Sequence, residues 1–279
     1  MDPRYEVLTD AARLGREFVD GLAERSVGAS AGVSELLERL ARPLTAAGED
    51  PRTVIAELAA DVEPGLVASA GPRYFGFVVG GALPAAVAAD WLTAAWDQNG
   101  GGAITAPALA VVEAVAADWV RELLGLPADC GVGFVTGCQM AHVTCLAAAR
   151  HAVLADAGWN VEADGLQGAP GLRVVAGADA HITIPRACRI LGLGADTIRV
   201  VPADREGRML LAELDTALRE HDGPQIVCAQ AGEVQHRRVR PARRDRRPLP
   251  HPRRLVSRRR RLRALGGDRP VAPPPARRL

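Results

Sequence analysis

Leu172-Arg173-Val174-Val175-Ala176 is a short apolar run of the kind that forms a buried strand. Two similar runs follow at residues 197–201 and 225–229, and segments with helical periodicity lie between the runs, at residues 185–193 and 210–221. Strands that alternate with helices are joined by right-handed crossovers, which place them in a mostly parallel sheet covered on both faces. The sequence therefore predicts an α/β fold.

The same alternation begins earlier, since residues 132–136 predict a strand and residues 140–155 predict a helix. Before that point the pattern is helical. Asp50-Pro51 suits the N-cap and first position of a helix, and Pro84 and Pro107 suit the first turns of two more. We therefore expect an N-terminal helical segment with loops at residues 1–105 and part of a larger α/β domain at residues 106–234.

The composition changes abruptly after Val234. Residues 235–279 contain 17 of the 34 Arg and only two acids, Asp245 and Asp268, whereas residues 1–234 are acidic. Apart from His, every basic residue is Arg, so the sequence contains no Lys. We expect this Arg/Pro-rich tail to be disordered. It could bind nucleic acid or another polyanion non-specifically and with a steep salt dependence, but it lacks the interleaved aromatic residues of a specific nucleic-acid site.

Other classes are disfavoured by composition. No apolar N-terminal leader and no uninterrupted apolar span is present, which predicts a cytoplasmic protein that does not cross a membrane. The chain contains five cysteines, which is an odd number, and no C-x-x-C pair. Both facts argue against a disulfide framework and against a metal site.

Two segments could carry chemistry. Gly137-Cys138-Gln139 lies between a predicted strand and helix, where free backbone N–H groups and the positive end of the helix dipole suit a phosphate; an ordinary glycine turn is the alternative. His181 follows the next predicted strand, at the sheet edge where parallel sheets bind ligands. It could stack on a planar cofactor or move a proton, and an exposed loop histidine is the alternative.

Aromatic residues are few in this chain, yet three of them fall within Tyr74-Phe75-Gly76-Phe77. This segment and the glycine-rich residues 97–102 flank one predicted helix. The concentration indicates a contact surface, and core packing is the competing explanation.

Together these segments resemble the group II pyridoxal-phosphate-dependent amino-acid decarboxylases, which include the aromatic amino-acid and glutamate decarboxylases. The resemblance covers residues 13–234, and it is carried by residues 72–77 with 80–81, 97–99, 134–141, 178–181 with 189–194, and 227–234. It implies part of a fold-type I transferase large domain, similar to that of aspartate aminotransferase. It also implies pyridoxal 5'-phosphate as cofactor, an amino acid as substrate, loss of its carboxylate as CO2, and a homodimer.

The resemblance also implies roles for individual residues. Gly137, Cys138 and Gln139 would hold the cofactor phosphate, and His181 would stack on the pyridine ring. Tyr74, Phe75, Thr105 and Pro107 would belong to substrate-side loops, the last two lent across the dimer interface. The chain departs from the family where Cys138 and Gln139 replace a small residue followed by Ser or Thr, and where His142 replaces a common Asn.

Two catalytic parts of the family pattern are missing: the Lys that forms a Schiff base with the cofactor and the Asp that pairs with the pyridine nitrogen. We therefore expect this chain to be inactive. Reaction outcomes other than decarboxylation, such as aldehyde synthesis or a catalytically dead scaffold, stay open, as does the identity of the amino acid.

A shifted reading frame could explain both the tail and the missing residues. Codons permitted by residues 254–266, read in the +1 frame, can encode a strand that ends in His-Val-Asp-Gly-Ala, which is the family sequence around the missing Asp. That Asp would overlap the codons for Arg259 and Arg260. Our hypothesis is that one extra base, or two lost bases, near codon 234 produced a frameshifted and truncated product.

Overall fold

The computed structural model describes residues 5–44 and 46–230, together with the backbone of residues 254–259. The chain divides into two compact units, Met1–Gly101 and Gly102–Leu279. Among the described residues, no helix is both long enough and apolar enough to cross a membrane.

The first unit is helical, as the sequence predicts. Its helices are α1 (Glu6–Asp20), α2 (Val33–Leu40), α3 (Pro51–Val62) with a short 3-10 turn (Glu63–Gly65), and α4 (Pro84–Trp96). The predicted cap of α3 is confirmed, because the Asp50 carboxylate accepts hydrogen bonds from the backbone N–H of Arg52 at 3.0 Å and of Thr53 at 3.1 Å. The guanidinium of Arg52 also joins α3 to α1, through Asp10 at 2.6 Å and Glu6 at 3.0 Å.

The second unit carries the sheet. Its helices are α5 (Pro107–Leu124), α6 (Cys138–Asp156), α7 (Val161–Asp164), α8 (Thr183–Ile190) and α9 (Leu211–Arg219), and its strands are β1 (Arg173–Gly177), β2 (Ile198–Val201), β3 (Gln225–Gln230) and β4 (Arg254–Arg259). The strand order is β2-β1-β3-β4, and all three pairings are parallel. The predicted α/β fold with a parallel sheet is confirmed.

Side chains alternate between the two faces of the sheet. Val174 and Ile226 pack with Leu146 of α6 and Ala187 of α8 in one buried cluster. Their neighbours in the strands point the other way, so that Val175 and Val227 belong to a second cluster, which also holds Leu218 of α9. Helices therefore cover both faces, which is why the strands read as continuous apolar runs.

One predicted strand is absent. Residues 132–136 are not in a strand, and within the described part of the chain no strand pairs with them. Phe134 is 54% exposed and Val135 is 42% exposed. A strand requires a neighbour to satisfy its backbone groups, and an apolar run alone does not supply one.

Within the tail that the sequence predicts to be disordered, the structure describes the backbone of Arg254–Arg259, which forms β4 alongside β3. The physical reason is the edge of β3, whose backbone N–H and C=O groups would otherwise lack partners on that side. The rest of residues 235–279 lies outside the described residues.

The turn between β2 and α9 is fixed by Asp204. Its Oδ1 accepts hydrogen bonds from the backbone N–H of Glu206 and of Arg208, each at 2.9 Å, and its Oδ2 accepts one from Arg208 Nε at 2.6 Å. These bonds favour the ionised carboxylate. The backbone N–H of Arg208, followed by its guanidinium, lowers the pKa of Asp204 from 3.8 to about 2.

We expect this carboxylate to make the second unit sensitive to acid. Because its pKa is lower in the folded chain than in the unfolded chain, its ionised form stabilises the fold above pH 3.8, and that contribution disappears as the pH falls towards about 2. Asp204→Asn should therefore unfold at a lower urea concentration than the wild type at pH 5. When the pH falls from 5 to 3, the urea midpoint of the variant should decrease less than the midpoint of the wild type. Far-UV circular dichroism measures both midpoints. Asp156→Asn, at an exposed helix end, is the control for charge removal, and parallel acid responses of the Asp204→Asn and wild-type chains would contradict the prediction.

Candidate functional site

The parallel strands β1, β3 and β4 have their carboxyl ends on the same side of the sheet. The chain continues from the carboxyl end of β1 to His181. Gly177 is the last residue of β1, and Thr183 is the first residue of α8. His181 therefore lies on the short connection beyond the carboxyl end of a central strand, where open parallel sheets bind ligands. This placement agrees with the sequence prediction.

The amino terminus of α6 provides an anion-binding geometry. Gly137, its N-cap, has φ 155° and ψ 176°, a conformation that is open almost only to glycine. Ala141 N–H donates to Gly137 O at 3.0 Å, whereas helix geometry leaves the N–H groups of Cys138, Gln139 and Met140 without acceptors inside the helix. A Cβ placed on Gly137 would meet no atom within 4 Å, so the space in front of this turn is open.

The predicted turn and the predicted histidine are brought together through one residue, Thr183. The side-chain amide Nε2 of Gln139 donates a hydrogen bond to the carbonyl oxygen of Thr183 at 3.2 Å. The backbone N–H of Thr183 in turn donates to Nδ1 of His181 at 3.3 Å, and the Thr183 hydroxyl lies 2.9 Å from the same nitrogen. The amino termini of α6 and α8 are thus tied to each other at the sheet edge.

Sequence reasoning missed Thr183. Its side chain is buried, with 6% of the residue exposed, and it is one of two buried polar residues among those described. A hydroxyl residue two positions after a candidate histidine, at the start of a predicted helix, only weakly indicates a hydrogen bond to that histidine. Its role depends on the packing of α6 against α8, which the sequence pattern does not specify.

The side chain of Gln139 already has a partner in this structure, and its predicted role in holding a phosphate stays a prediction. Its amide is engaged with the Thr183 carbonyl, so its side chain holds the two helix ends together. A phosphate at this turn would be bound through the backbone N–H groups and the helix dipole. Cys138, at the first position of α6, is exposed and adds only a weak S–H donor.

The donor set fits one end of pyridoxal phosphate and lacks the residue for the other. The α6 terminus supplies N–H donors for the phosphate, and His181 supplies an aromatic ring beside it. The aldehyde requires a Lys, and the sequence contains none. These residues could therefore hold the cofactor only without a covalent bond.

The predicted substrate-side residues fall in both units. Tyr74 and Phe75 belong to the first unit, where Phe75 is 92% exposed, and the following residues Phe77 and Val78 have φ of 52° and 56°. A positive φ strains residues with a Cβ, and such strain is concentrated at functional loops. Their placement relative to His181 stays a prediction.

Thr105 and Pro107 belong to the second unit, at the entrance to α5. The backbone N–H and the hydroxyl of Thr105 both donate to the carbonyl of Gly102 at 3.2 Å, and Pro107 is the first residue of the helix. Ala106 between them is buried, with 1% exposed. This turn is well defined locally, and its part in substrate binding stays a prediction.

Two buried thiols lie in the core beneath this edge. Cys188 of α8 and Cys228 of β3 belong to the same apolar cluster, and both are free. Burial, followed by the neighbouring Cys188 and Cys145, raises the pKa of Cys228 to about 12, and burial also raises that of Cys188. Such thiols are poor nucleophiles, so we assign them a packing role.

Residues 35–236 match the family model described as the pyridoxal-dependent decarboxylase conserved domain. Tryptophan decarboxylase 1 from Oryza sativa subsp. japonica is 31% identical over 206 residues, which cover 66% of this chain and 38% of the relative. Glutamate decarboxylase from Drosophila melanogaster is 30% identical over 166 residues, which cover 58% of this chain and 32% of the relative. The chain thus spans about a third of the length of these relatives.

Solved structures show the same fold. The crystal structure of mouse CSAD has a TM-score of 0.73 and 25% identity, and the match covers 83% of this chain and 49% of that one. The crystal structure of Oryza sativa TDC with PLP and tryptamine has a TM-score of 0.74 and 24% identity, with coverage of 84% and 50%. The fold-type expectation from the sequence is confirmed for the part of the fold that this chain spans.

Proposed function

The chain belongs to the pyridoxal-dependent decarboxylase family, and from this premise we propose that its fold serves the pyridoxal-phosphate-dependent decarboxylation of an amino acid. The observation that carries the proposal is the connection of the α6 amino terminus to His181 through Thr183, at the ligand-binding edge of a parallel sheet. Each of the two parts is common in α/β proteins. Their linkage within a family match of this extent supports a cofactor site.

In this proposal the residues divide the work of binding. The N–H groups of Cys138, Gln139 and Met140 hold the phosphate, and Gly137 lets the chain turn sharply in front of it. His181 lies against the pyridine ring and keeps water from that face. When bound, pyridoxal phosphate supplies an electron sink that allows the carboxylate on Cα to leave as CO2.

We further propose that this chain is inactive as it stands. It has no Lys to hold the aldehyde of the cofactor or to exchange it for the substrate amine. It also lacks the family Asp whose charge keeps the pyridine nitrogen protonated. Binding of the cofactor and turnover of a substrate are therefore separate properties here, and we propose only the first for this chain.

Two observations support a shifted reading frame as the origin of the tail. The family match ends at residue 236, two residues after the composition changes. In addition, Arg259 is the last residue of β4 and pairs with Gln230, the last residue of β3. Both residues lie at the carboxyl ends of the parallel strands, and His181 follows β1 at the same end of the sheet. The +1 frame would place the family Asp at the codons for Arg259 and Arg260, and therefore at the edge where a partner of the cofactor ring is needed.

Resequencing the gene from codon 225 to well beyond the stop, from independently prepared DNA, tests this proposal. A frame error whose correction restores His-Val-Asp-Gly-Ala and a later Lys would support a decarboxylase whose Arg-rich tail is an artefact. An unchanged frame would refute it. The tail would then be the part to test for function, beginning with RNA binding at low salt, as the alternative of a polyanion-binding remnant requires.

The substrate is proposed only as an amino acid. The relatives are named for tryptophan, glutamate and cysteine sulfinic acid, so the family includes aromatic and acidic substrates.

We propose a homodimer as the assembly of the intact enzyme. The support in the second unit is an exposed apolar stripe along α5, formed by Val112, Val115, Trp119 and Leu123. These residues recur at helical spacing on one face, which is the pattern of a surface that another element covers. A second copy of the chain is the occupant that the family suggests.

The same stripe predicts poor solubility for this chain, because a partly completed fold cannot bury it dependably. Replacing Trp119 and Leu123 together with Gln should increase the soluble fraction after expression several-fold. Centrifugation and size-exclusion chromatography measure it. Glu113→Gln, at an exposed position on the same helix outside the stripe, should leave it unchanged. A monodisperse wild-type dimer with a cooperative melt would refute the prediction.

A further inference from the structure

We propose that Thr183 is a positioning residue for His181: it fixes the neutral imidazole with its hydrogen on Nε2 and holds the ring in place before any ligand binds. The cofactor part of this inference rests on the proposed function, whereas the part that concerns the tautomer does not. Thr183 lies outside the turn and the histidine that the sequence identified, and it connects them.

The tautomer follows from the direction of the hydrogen bonds. The backbone N–H of Thr183 can only donate, so Nδ1 of His181, 3.3 Å away, must accept and carries no hydrogen in the neutral ring. The hydroxyl of Thr183, 2.9 Å from Nδ1, then acts as a second donor to the same nitrogen. The hydrogen of the neutral imidazole is left on Nε2.

The donors are available because of where Thr183 stands. It is the first residue of α8, so helix geometry gives its N–H no acceptor within the helix. Its burial keeps water from competing for these bonds. The imidazole of His181 supplies the acceptor that this end of the helix needs, so the same bond stabilises the helix and orients the ring.

Gln139 extends the connection to the phosphate turn. Its Nε2 donates to the carbonyl oxygen of Thr183 at 3.2 Å, which fixes the start of α8 against the start of α6. The resemblance places Ser or Thr at this position in most of the family, and such a short side chain has less reach than the Gln amide. At position 139 the side chain therefore positions Thr183, while the backbone N–H stays available to a phosphate.

Preorganisation is the functional consequence. A ring held at Nδ1 and a phosphate turn tied to the same residue keep their mutual spacing without a bound ligand. Less freedom is lost when a flat, phosphorylated ligand binds, and this raises its affinity. In a chain that cannot hold the cofactor covalently, this non-covalent contribution matters most.

Nitrogen-15 NMR of the full chain labelled at histidine tests the inference, in solution or on sedimented protein. We expect His181 to show an unprotonated Nδ1 and a protonated Nε2, with its signals assigned by their loss in His181→Gln. Thr183→Val removes the hydroxyl and keeps the backbone N–H, so Nε2 should stay protonated while the Nδ1 signal shifts and broadens, because this nitrogen loses one of its two partners. Thr183→Ser should restore the wild-type signal.

Thr197→Val is the matched control, because it removes another part-buried hydroxyl, one that donates to the carbonyl of Leu193. It should leave the His181 signals unchanged. A wild-type His181 protonated on Nδ1, or equal shifts in the two Val variants, would overturn the proposal. If Thr183→Val fails to fold, Gln139→Met provides the second route, and it should broaden or shift the same signals by loosening Thr183.

Binding of pyridoxal phosphate, followed by its absorbance and by quenching of protein fluorescence, separates this inference from the proposed function. Thr183→Val should weaken binding several-fold and Thr183→Ser should recover it. A chain that shows the expected tautomers and binds no pyridoxal phosphate would refute the cofactor site while leaving the positioning role intact. Binding that is equal in all three proteins would refute preorganisation.

Discussion

The purified chain, supplied with pyridoxal phosphate and with tryptophan, glutamate or cysteine sulfinic acid, is expected to release CO2 no faster than pyridoxal phosphate alone. The reason is chemical, since no side chain in the sequence can bond to the cofactor aldehyde and be exchanged for the substrate amine. A gene product with its reading frame corrected should exceed this rate by several orders of magnitude on its preferred amino acid. Enzymes typically accelerate reactions by about 10⁶-fold or more.

Capture of released CO2 measures this difference, and chromatography of the amine product confirms it. The matched control is the corrected protein in which the restored Lys of the family is replaced by Ala, which should bind pyridoxal phosphate weakly and release no CO2. His181→Ala in the corrected protein should retain part of the activity, because the ring it contacts would still be held at its other end. Decarboxylation by the uncorrected chain, free of contaminating enzyme, would refute the proposed inactivity.

Ile226→Ala should have the largest effect on stability of any single change in the sheet. Ile226 is 0% exposed in β3 and packs in the cluster that joins the sheet to α6 and α8. Truncation of a buried Ile to Ala typically lowers the free energy of unfolding by about 2–5 kcal/mol, from the loss of apolar burial and the cavity left behind. That is a large share of the stability of an ordinary domain.

Hydrogen–deuterium exchange of peptides that cover β1 and β3 reports on this unit alone. A loss of this size raises their exchange rates roughly 30-fold or more, if exchange follows opening of the whole unit. Ile190→Ala makes the same chemical change on the exposed side of α8 and should alter these rates little, since Ile190 is 62% exposed. Similar rates for both variants would show that the cluster around Ile226 does not limit the opening of the sheet.

Much of the fold follows from local pattern. The runs at residues 172–176 and 225–229 were predicted within one residue of β1 and β3, because their apolar side chains are buried on both sides. Pairing is a non-local property, and this is where the sequence failed. Residues 132–136 have a strand-like composition and no strand beside them among those described, whereas Arg254–Arg259 have an unpromising composition and an open edge of β3 to join.

The candidate site divides in the same way. A glycine before a helix and a histidine after a strand can be recognised from the sequence, and Gly137 and His181 take up those positions. The contact of Gln139 with Thr183 spans two helices, so it required the packed structure. Composition also indicated that no lysine side chain can form a Schiff base with the cofactor, which the absence of Lys establishes without any coordinates.

The strand order β2-β1-β3-β4 also bears on how the chain acquires its structure during synthesis. β1 can pair with β2 on one side, but its other side stays open until β3 emerges from the ribosome, since Arg173 pairs with Gln225. Helices α1 to α3 need only near neighbours in the sequence and can form while the sheet is still incomplete. Between those two moments the apolar strands are exposed to other nascent chains, so slow translation across residues 178–224 would prolong the interval in which chaperones are needed.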